Sequence, residues 1–219
     1  MVKIGIGDTC DPIILQYIPK VRHTRRIMFT GIITHLGEVS EKTGDSLTIK
    51  VPEEFLVNVT LGSSISVSGV CLTVTKLTSD SFRIEYMPET ARKTVIGSLE
   101  LGSLVNLERS ATPTTFLDGH IVYGHVDTQA KISQIKEEGN SKIFTFELEK
   151  SFLELMVSKG SVAVNGISLT VIEVGDSFFT VGIIPHTLEK TMLHKSVVND
   201  LVNIEIDVIG KYIKKFINL

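Results

Sequence analysis

An internal duplication constrains this chain more than any other feature. Gly69-Val70-Cys71-Leu72-Thr73-Val74 lies over Gly166-Ile167-Ser168-Leu169-Thr170-Val171 at an offset of 97 residues. The same offset sets Pro88-Glu89-Thr90 over Pro185-His186-Thr187, and Leu104-Val105-Asn106-Leu107-Glu108 over Leu201-Val202-Asn203-Ile204-Glu205. From Leu47 to Glu108 the two copies share 18 of 62 positions without a gap, where unrelated segments would share roughly four. With a small gap, Gly31 pairs with Gly124 and Val39 with Ile132. Self-similarity of this kind decides the architecture before any element is assigned. Each copy has about 90 residues, enough to fold as a domain. The expected division is 28–115 for the first copy, 116–206 for the second and 207–219 for a tail.

Within a copy, short alternating runs recur between turns. Ser64-Ile65-Ser66-Val67-Ser68 and Phe82-Arg83-Ile84-Glu85-Tyr86 alternate with period two, the mark of half-buried strands. Glu38 to Lys50 reads as strand, a Thr43-Gly44-Asp45 turn, and strand. Pro52 to Val57 opens like a short helix, with Pro in the first turn and two acids at its positive end, and Glu149 to Val157 matches it. Many short strands with one helical turn predict an all-β fold: two tandem Greek-key barrels. The tail puts Val208/Ile209, Tyr212/Ile213 and Phe216/Ile217 on one stripe and Lys211, Lys214 and Lys215 on the other. That pattern is an amphipathic helix, although Gly210 should cost about 1 kcal/mol. A short terminal helix is marginal alone, so it should pack on its own domain or form an oligomer contact.

Composition narrows the partners. The net charge of −3 and the lack of a dense basic cluster argue against nucleic acid. No apolar run is long enough to span a membrane. Cys10 and Cys71 suggest no disulfide framework, so a cytoplasmic location is expected. Residues 1–27 lack the apolar segment of a secretory signal.

Several blocks in order resemble the riboflavin synthases: Met28-Phe29-Thr30-Gly31-Ile32-Ile33, Gly69 to Val74, Met87-Pro88-Glu89-Thr90, Gly119-His120 with Gly124-His125-Val126, Asn165 to Val171, and Asn203-Ile204-Glu205-Ile206-Asp207. The resemblance covers residue 28 to about 215, and because the family's pattern begins at that Met-Phe-Thr-Gly block it implies that residues 1–27 are a non-functional, disordered or peripheral extension. It implies two six-stranded β-barrels (riboflavin synthase-like) plus a C-terminal α-helix, assembled as a homotrimer, with each site between barrels of different subunits. It implies a transferase that needs no cofactor and no metal. Two molecules of 6,7-dimethyl-8-ribityllumazine exchange a four-carbon unit to give riboflavin and 5-amino-6-ribitylaminouracil. Lumazine synthase is a candidate further partner.

The duplication agrees with such chemistry. Two identical reactants call for two similar pockets, and holding both in register is worth about 7–11 kcal/mol. One reactant donates and one accepts, so the pockets must differ. Here the scaffold residues repeat, while Cys71 opposes Ser168, Glu89 opposes His186, and His125 opposes Ile32.

By this resemblance the expected catalytic residues are His125, Ser168, Asp207, Cys71 and Phe29. Expected substrate contacts in the first copy are Gly31, Ile32, Ile33, Ser64, Cys71, Leu72, Thr73, Glu85, Tyr86, Met87, Pro88, Glu89 and Thr90. Those in the second are Gly124, His125, Val126, Lys159, Ser168, Leu169, Thr170, Ile184, Pro185, His186, Thr187, Leu188 and Glu189. Each has a plainer reading. Cys71 in an apolar strand is commonly inert, and a reactive thiol needs a lowered pKa. His120 and His125 fit no common zinc spacing. By resemblance His125 is the stronger active-site candidate, assisting proton removal from the lumazine C7 methyl, because histidine moves protons near neutral pH. Ser168 and Thr170, like Cys71 and Thr73, share one strand face. Their hydroxyls and backbone groups suit a flat heterocycle of alternating donors and acceptors. Thr90 and Thr187 could cap the following helical turn or hold the ribityl chain. Lys159 would ordinarily be solvated. Asp207 suits the N-cap of the last helix, and the resemblance adds orienting a water or Ser168.

Two other classes compete. Non-catalytic lumazine-binding proteins of luminescence share the duplication. The barrel of a flavin reductase would need a Gly-rich nicotinamide-binding domain, and no such motif is found.

Overall fold

The computed structural model describes residues 28–217, so the expectation for residues 1–27 lies outside the described residues. The first copy forms β1 (His35–Thr43), β2 (Ser46–Lys50), α1 (Glu53–Leu56), β3 (Ser64–Val67), β4 (Val70–Leu77), β5 (Ser81–Glu85), α2 (Pro88–Lys93) and β6 (Leu104–Arg109). The second forms β7 (Thr128–Glu138), β8 (Ser141–Glu147), α3 (Lys150–Leu153), β9 (Ser161–Val164), β10 (Ile167–Val174), β11 (Phe178–Ile183), α4 (Pro185–Lys190) and β12 (Leu201–Ile206). Helix α5 (Val208–Ile217) follows. Each set of six strands closes into an antiparallel barrel, in the order β1-β2-β5-β4-β3-β6 and its counterpart β7-β8-β11-β10-β9-β12.

The two-fold alternation explains what fills each barrel. Phe82 and Ile84 of β5, and Val70, Leu72 and Val74 of β4, point inward with Leu47, Ile49 and Phe55. In the second barrel Phe144, Phe146 and Phe179 fill the same space, with Phe146 and Phe179 stacked at 5.0 Å. A six-stranded barrel is narrow enough for side chains to fill it. The interior is therefore core, and any ligand must bind on an outer face.

The duplication extends to irregularities. Bulges interrupt β1 after Val39 and β7 after Ile132, and interrupt β4 after Val74 and β10 after Val171. The small gap in the repeat falls in the first hairpin, where β7 and β8 run longer than β1 and β2. The turn at Gly44-Asp45 and the short helices after Pro52 and Glu149 form where the sequence places them.

The two barrels face each other about a local two-fold relation. Gly69 and Gly166 meet there with no room for a Cβ on either. Asn203 Oδ1 accepts the N–H of Val95 at 2.8 Å, and Asn106 Oδ1 accepts that of Met192 at 2.8 Å. Asn203 Nδ2 donates to Ser68 O and Asn106 Nδ2 to Asn165 O. These four bonds are equivalent by the repeat. They satisfy buried amides that would each cost about 1–3 kcal/mol unpaired.

Candidate active site

Each barrel's first strand is preceded by a segment that crosses to the other barrel. Ile33 packs against the core of the second barrel and Val126 against that of the first. The two segments pair with each other through Phe29 and Val122, by bonds of 2.7 and 3.1 Å. They then lie along β10 and β4: Ser168 N donates to Gly31 O at 2.8 Å, and Cys71 N to Gly124 O at 2.9 Å. Gly31 has φ +77° and Gly124 φ +73°, and a Cβ on either would sit 2.6 Å from the Cβ of the residue beneath. Only glycine combines that conformation with so close an approach. The Gly blocks of the sequence are therefore backbone contacts that build two outer-face half-sites.

One buried carboxylate holds each segment. Glu108 accepts the N–H groups of Thr30 (2.7 Å) and Gly31 (3.0 Å) and the Thr30 hydroxyl (2.8 Å). Glu205 accepts the N–H groups of Tyr123, Gly124 and His125 at 2.7, 2.8 and 3.1 Å. Burial pushes both carboxyls above the usual range, and these hydrogen bonds pull them part of the way back. Neither residue was singled out for the site from sequence, although their identity in both copies was visible.

The first half-site is built on the outer face of β3 and β4. Ser64 stands opposite Thr73, and Ser66 opposite Cys71. Burial pushes the Cys71 thiol up, while a hydrogen bond from Ser64 pulls it down and the charge of Glu205 pushes it further up. Cys71 is thus a protonated thiol, not a ready nucleophile. His125 stands exposed on the crossing segment, stacked on Tyr123 at 5.9 Å. Met87, Pro88 and Glu89 are exposed and Thr90 is half-buried. A recess of about 510 Å³ is lined by Asp45, Ser46, Arg83 and Glu85 to Pro88.

The second half-site is built on β10 and holds a different constellation. His120 Nδ1 lies 2.7 Å from Ser168 Oγ. The imidazole is 9% exposed, and its Nε2 is buried without a partner. Burial holds it below the usual histidine range, and the nearby charge of Asp207 raises it somewhat. Histidine therefore stays neutral here at physiological pH and can take a proton. Thr170 is exposed beside Ser168, and Ile184, Pro185 and His186 are exposed at the start of α4. Asp207 caps α5, its Oδ1 accepting Ile209 N at 3.0 Å.

The expected residues divide accordingly. Ser168 and Asp207 come together, but with His120; His125 belongs to the half-site of Cys71. Phe29 has no exposed surface and packs with Val122, Ala163 and Cys71 as a floor between barrels. Leu72, Leu169 and Tyr86 are all buried in the barrel cores; the side chains of Leu72 and Leu169 do not line an outer face, whereas Tyr86 also borders the recess. Thr90 and Thr187 do not cap their helices: Met87 and Ile184 are the N-caps, without side-chain bonds. Their carbonyls instead accept the Thr94 and Thr191 hydroxyls at 2.7 Å. Lys159 takes φ +66° where the first copy has Gly62. Among the described residues no three His, Cys, Asp or Glu cluster as metal ligands. A second recess of about 520 Å³, on the outer face of β7, β8, β10 and β11, contains none of the expected residues.

Comparison with known proteins defines the class first. The Lumazine binding domain family matches twice, at residues 30–110 and 123–207. Among solved structures, LumP complexed with 6,7-dimethyl-8-(1'-D-ribityl) lumazine superposes with a TM-score of 0.72 at 24% identity, covering 81% of this chain and 98% of that one. LumP complexed with riboflavin gives 0.73 at 24% identity, over 82% and 99%. Riboflavin synthase of Bacillus subtilis is 39% identical over 194 residues, which is 87% of this chain and 90% of that protein. Riboflavin synthase of Schizosaccharomyces pombe is 40% identical over 196 residues, 87% and 94%. The chain belongs to the riboflavin synthase family.

Proposed function

We propose that the protein catalyses the dismutation of two molecules of 6,7-dimethyl-8-ribityllumazine, one donating a four-carbon unit to the other. The products are riboflavin and 5-amino-6-ribitylaminouracil. One observation carries this reading: two half-sites share a scaffold down to the clamping carboxylate, the glycine contact and the strand register, yet differ in their reactive groups. Like scaffolds suit like reactants, and unlike groups let one reactant donate and the other accept.

In this reading the exposed faces of β4 and β10 receive the two pteridine rings. At the second half-site, neutral His120 accepts a proton from Ser168 or from a water that Asp207 orients, as general base. At the first, His125 assists removal of a C7 methyl proton while Cys71 and Ser64 line the pocket. Both half-sites are open outer faces. That supports closure by another subunit, in a homotrimer joined through α5, whose Tyr212, Ile213 and Phe216 are 60%, 53% and 69% exposed. Among the described residues no helix is long and apolar enough to cross a membrane, and a cytoplasmic location agrees with that. Association with lumazine synthase rests on the resemblance alone.

The test is direct. Purified protein incubated with dimethylribityllumazine should yield one riboflavin per two substrates, followed by chromatography and absorbance. Tight binding with no riboflavin formed would replace this reading with a carrier protein.

A further inference from the structure

The two clamping carboxylates are equivalent by the repeat, but their surroundings are not. Glu108 receives a hydroxyl as well as two N–H groups, and no cation figures among the influences on its carboxyl. Glu205 receives three N–H groups and no hydroxyl, and the charge of Lys211 acts on it favourably. Lys211 belongs to α5, the element that has no counterpart in the first copy. Its Nζ reaches both oxygens of Asp127, at 2.7 and 2.6 Å. Asp127 Oδ2 in turn accepts Ile206 N at 2.8 Å, next to Glu205.

The seat of α5 is well defined at this end. Asp207 caps its first turn, Gly210 sits where a Cβ would strike the carbonyl of Leu155, and Lys214 pairs with Glu154 at 2.8 Å. Lys211 is therefore delivered to one place. A buried carboxylate is expensive unless a compensating charge or enough donors are present. Both copies supply three donors, two N–H groups and a hydroxyl in the first and three N–H groups in the second; only the second adds a cation, and from a different element.

We propose that Lys211 is a positioning residue: its charge offsets the buried Glu205 carboxylate and so holds the Tyr123-Gly124-His125 segment against Cys71. The seat of α5 thereby sets the placement of His125. The groups that face Glu205 are Lys211 from α5, Asp127 at the entrance to β7, the Cys71 thiol from β4, and Tyr123 and His125 on the clamped segment itself. Asp127 and Cys71 bear on it unfavourably or not at all as charges of compensation, which leaves Lys211 as the one cation acting on it among the described residues. The inference deepens the proposed function through the roles given to Cys71 and His125, but its test needs no substrate.

Hydrogen exchange of the amides of Tyr123, Gly124 and His125 in the full chain reads the clamp directly. Lys211→Met should lower their protection at neutral pH by about tenfold, a middling coupling between neighbouring charges. Lys211→Arg should retain it. The loss should shrink as pH falls and Glu205 takes up a proton, because a neutral acid needs no cation. In a Glu205→Gln background, Lys211→Met should have no effect on these amides. An equal loss at every pH, or an equal loss in the Glu205→Gln background, would make Lys211 a mere tether to Asp127 and overturn the proposal. No loss at all would also overturn it. Should Glu205→Gln fail to fold, the pH series on Lys211→Met decides alone. Failure to make riboflavin would sink the proposed function and leave this result unaffected.

Discussion

The half-site on β10 and the half-site on β4 were built from one repeated sequence and now carry different side chains on it. Both keep a crossing glycine against a strand, a buried carboxylate clamp and a Pro-x-Thr helical start. On β10 the residue under the glycine is Ser168, joined to a buried neutral His120. On β4 it is Cys71, a thiol held protonated by burial, with Ser64 beside it and an exposed histidine on the crossing segment. Backbone geometry was retained because it is over-determined: two chain segments and two barrels must fit at each contact. Side chains projecting from the outer face meet no such constraint, and there the copies diverged.

The largest change should come from removing α5. Truncation after Asp207 should convert the proposed trimer to monomer and abolish riboflavin formation; light scattering and turnover check both. A truncated chain that stays trimeric would move the assembly contact elsewhere. Next comes the histidine pair. His120→Ala should lower turnover by about 10²–10⁴-fold, as loss of a general base does, with a much smaller change in lumazine affinity by fluorescence titration. His125→Ala should also lower turnover more than binding. Equal losses in rate and affinity for either would reduce that residue to a contact.

The pH dependence of the rate distinguishes the half-sites further. His120 is held below the usual histidine range by burial. Its neutral form should therefore persist, and the acid limb of kcat/KM assigned by His120→Gln should fall below that of an exposed histidine. For stability the sign is the same. A histidine with a depressed folded value contributes stability above the unfolded value and loses it as pH falls through the folded one. Glu108 behaves oppositely. Its folded value is raised, so its contribution is present at low pH and is lost as pH rises through that value. Urea unfolding of Glu108→Gln across pH should show that limb removed.

Two glycine substitutions give smaller effects. Gly31→Ala and Gly124→Ala should each destabilise by about 1–3 kcal/mol or more, from a left-handed backbone and a contact with no room. Similar values would confirm that the contacts are equivalent. Gly210→Ala sets two principles against each other. Propensity favours alanine by about 1 kcal/mol, but the new Cβ would strike the Leu155 carbonyl. A lower Tm is expected, and a higher one would show that the seat of α5 yields.

Much of the fold was legible because its signals are local. Alternation in Phe82 to Tyr86, the Gly44-Asp45 turn and the Pro52 helical start each depend on a few adjacent residues. The duplication added long-range information that a single copy lacks, since whatever one half folds into the other must match. The stripe of α5 was also readable, but the reason for Gly210 was not, because the carbonyl that a Cβ there would strike lies 55 residues away in sequence. The contact of His120 with Ser168 was hidden in the sequence for the same reason. His125 sits beside an obvious glycine block, while His120 earns its contact with Ser168 only through the crossing of a segment.

By itself the sequence determined that two like barrels form, which residues alternate into their cores, and at which equivalent positions the copies differ. Those facts follow from periodicity and from self-comparison. Only the tertiary structure decided that the segments exchange barrels, that Cys71 and Ser168 meet the crossing glycines, and that Glu108 and Glu205 hold those segments in place. The carboxylate pairings join residues about 80 positions apart, and a contact closed over so long a loop leaves no trace in local pattern.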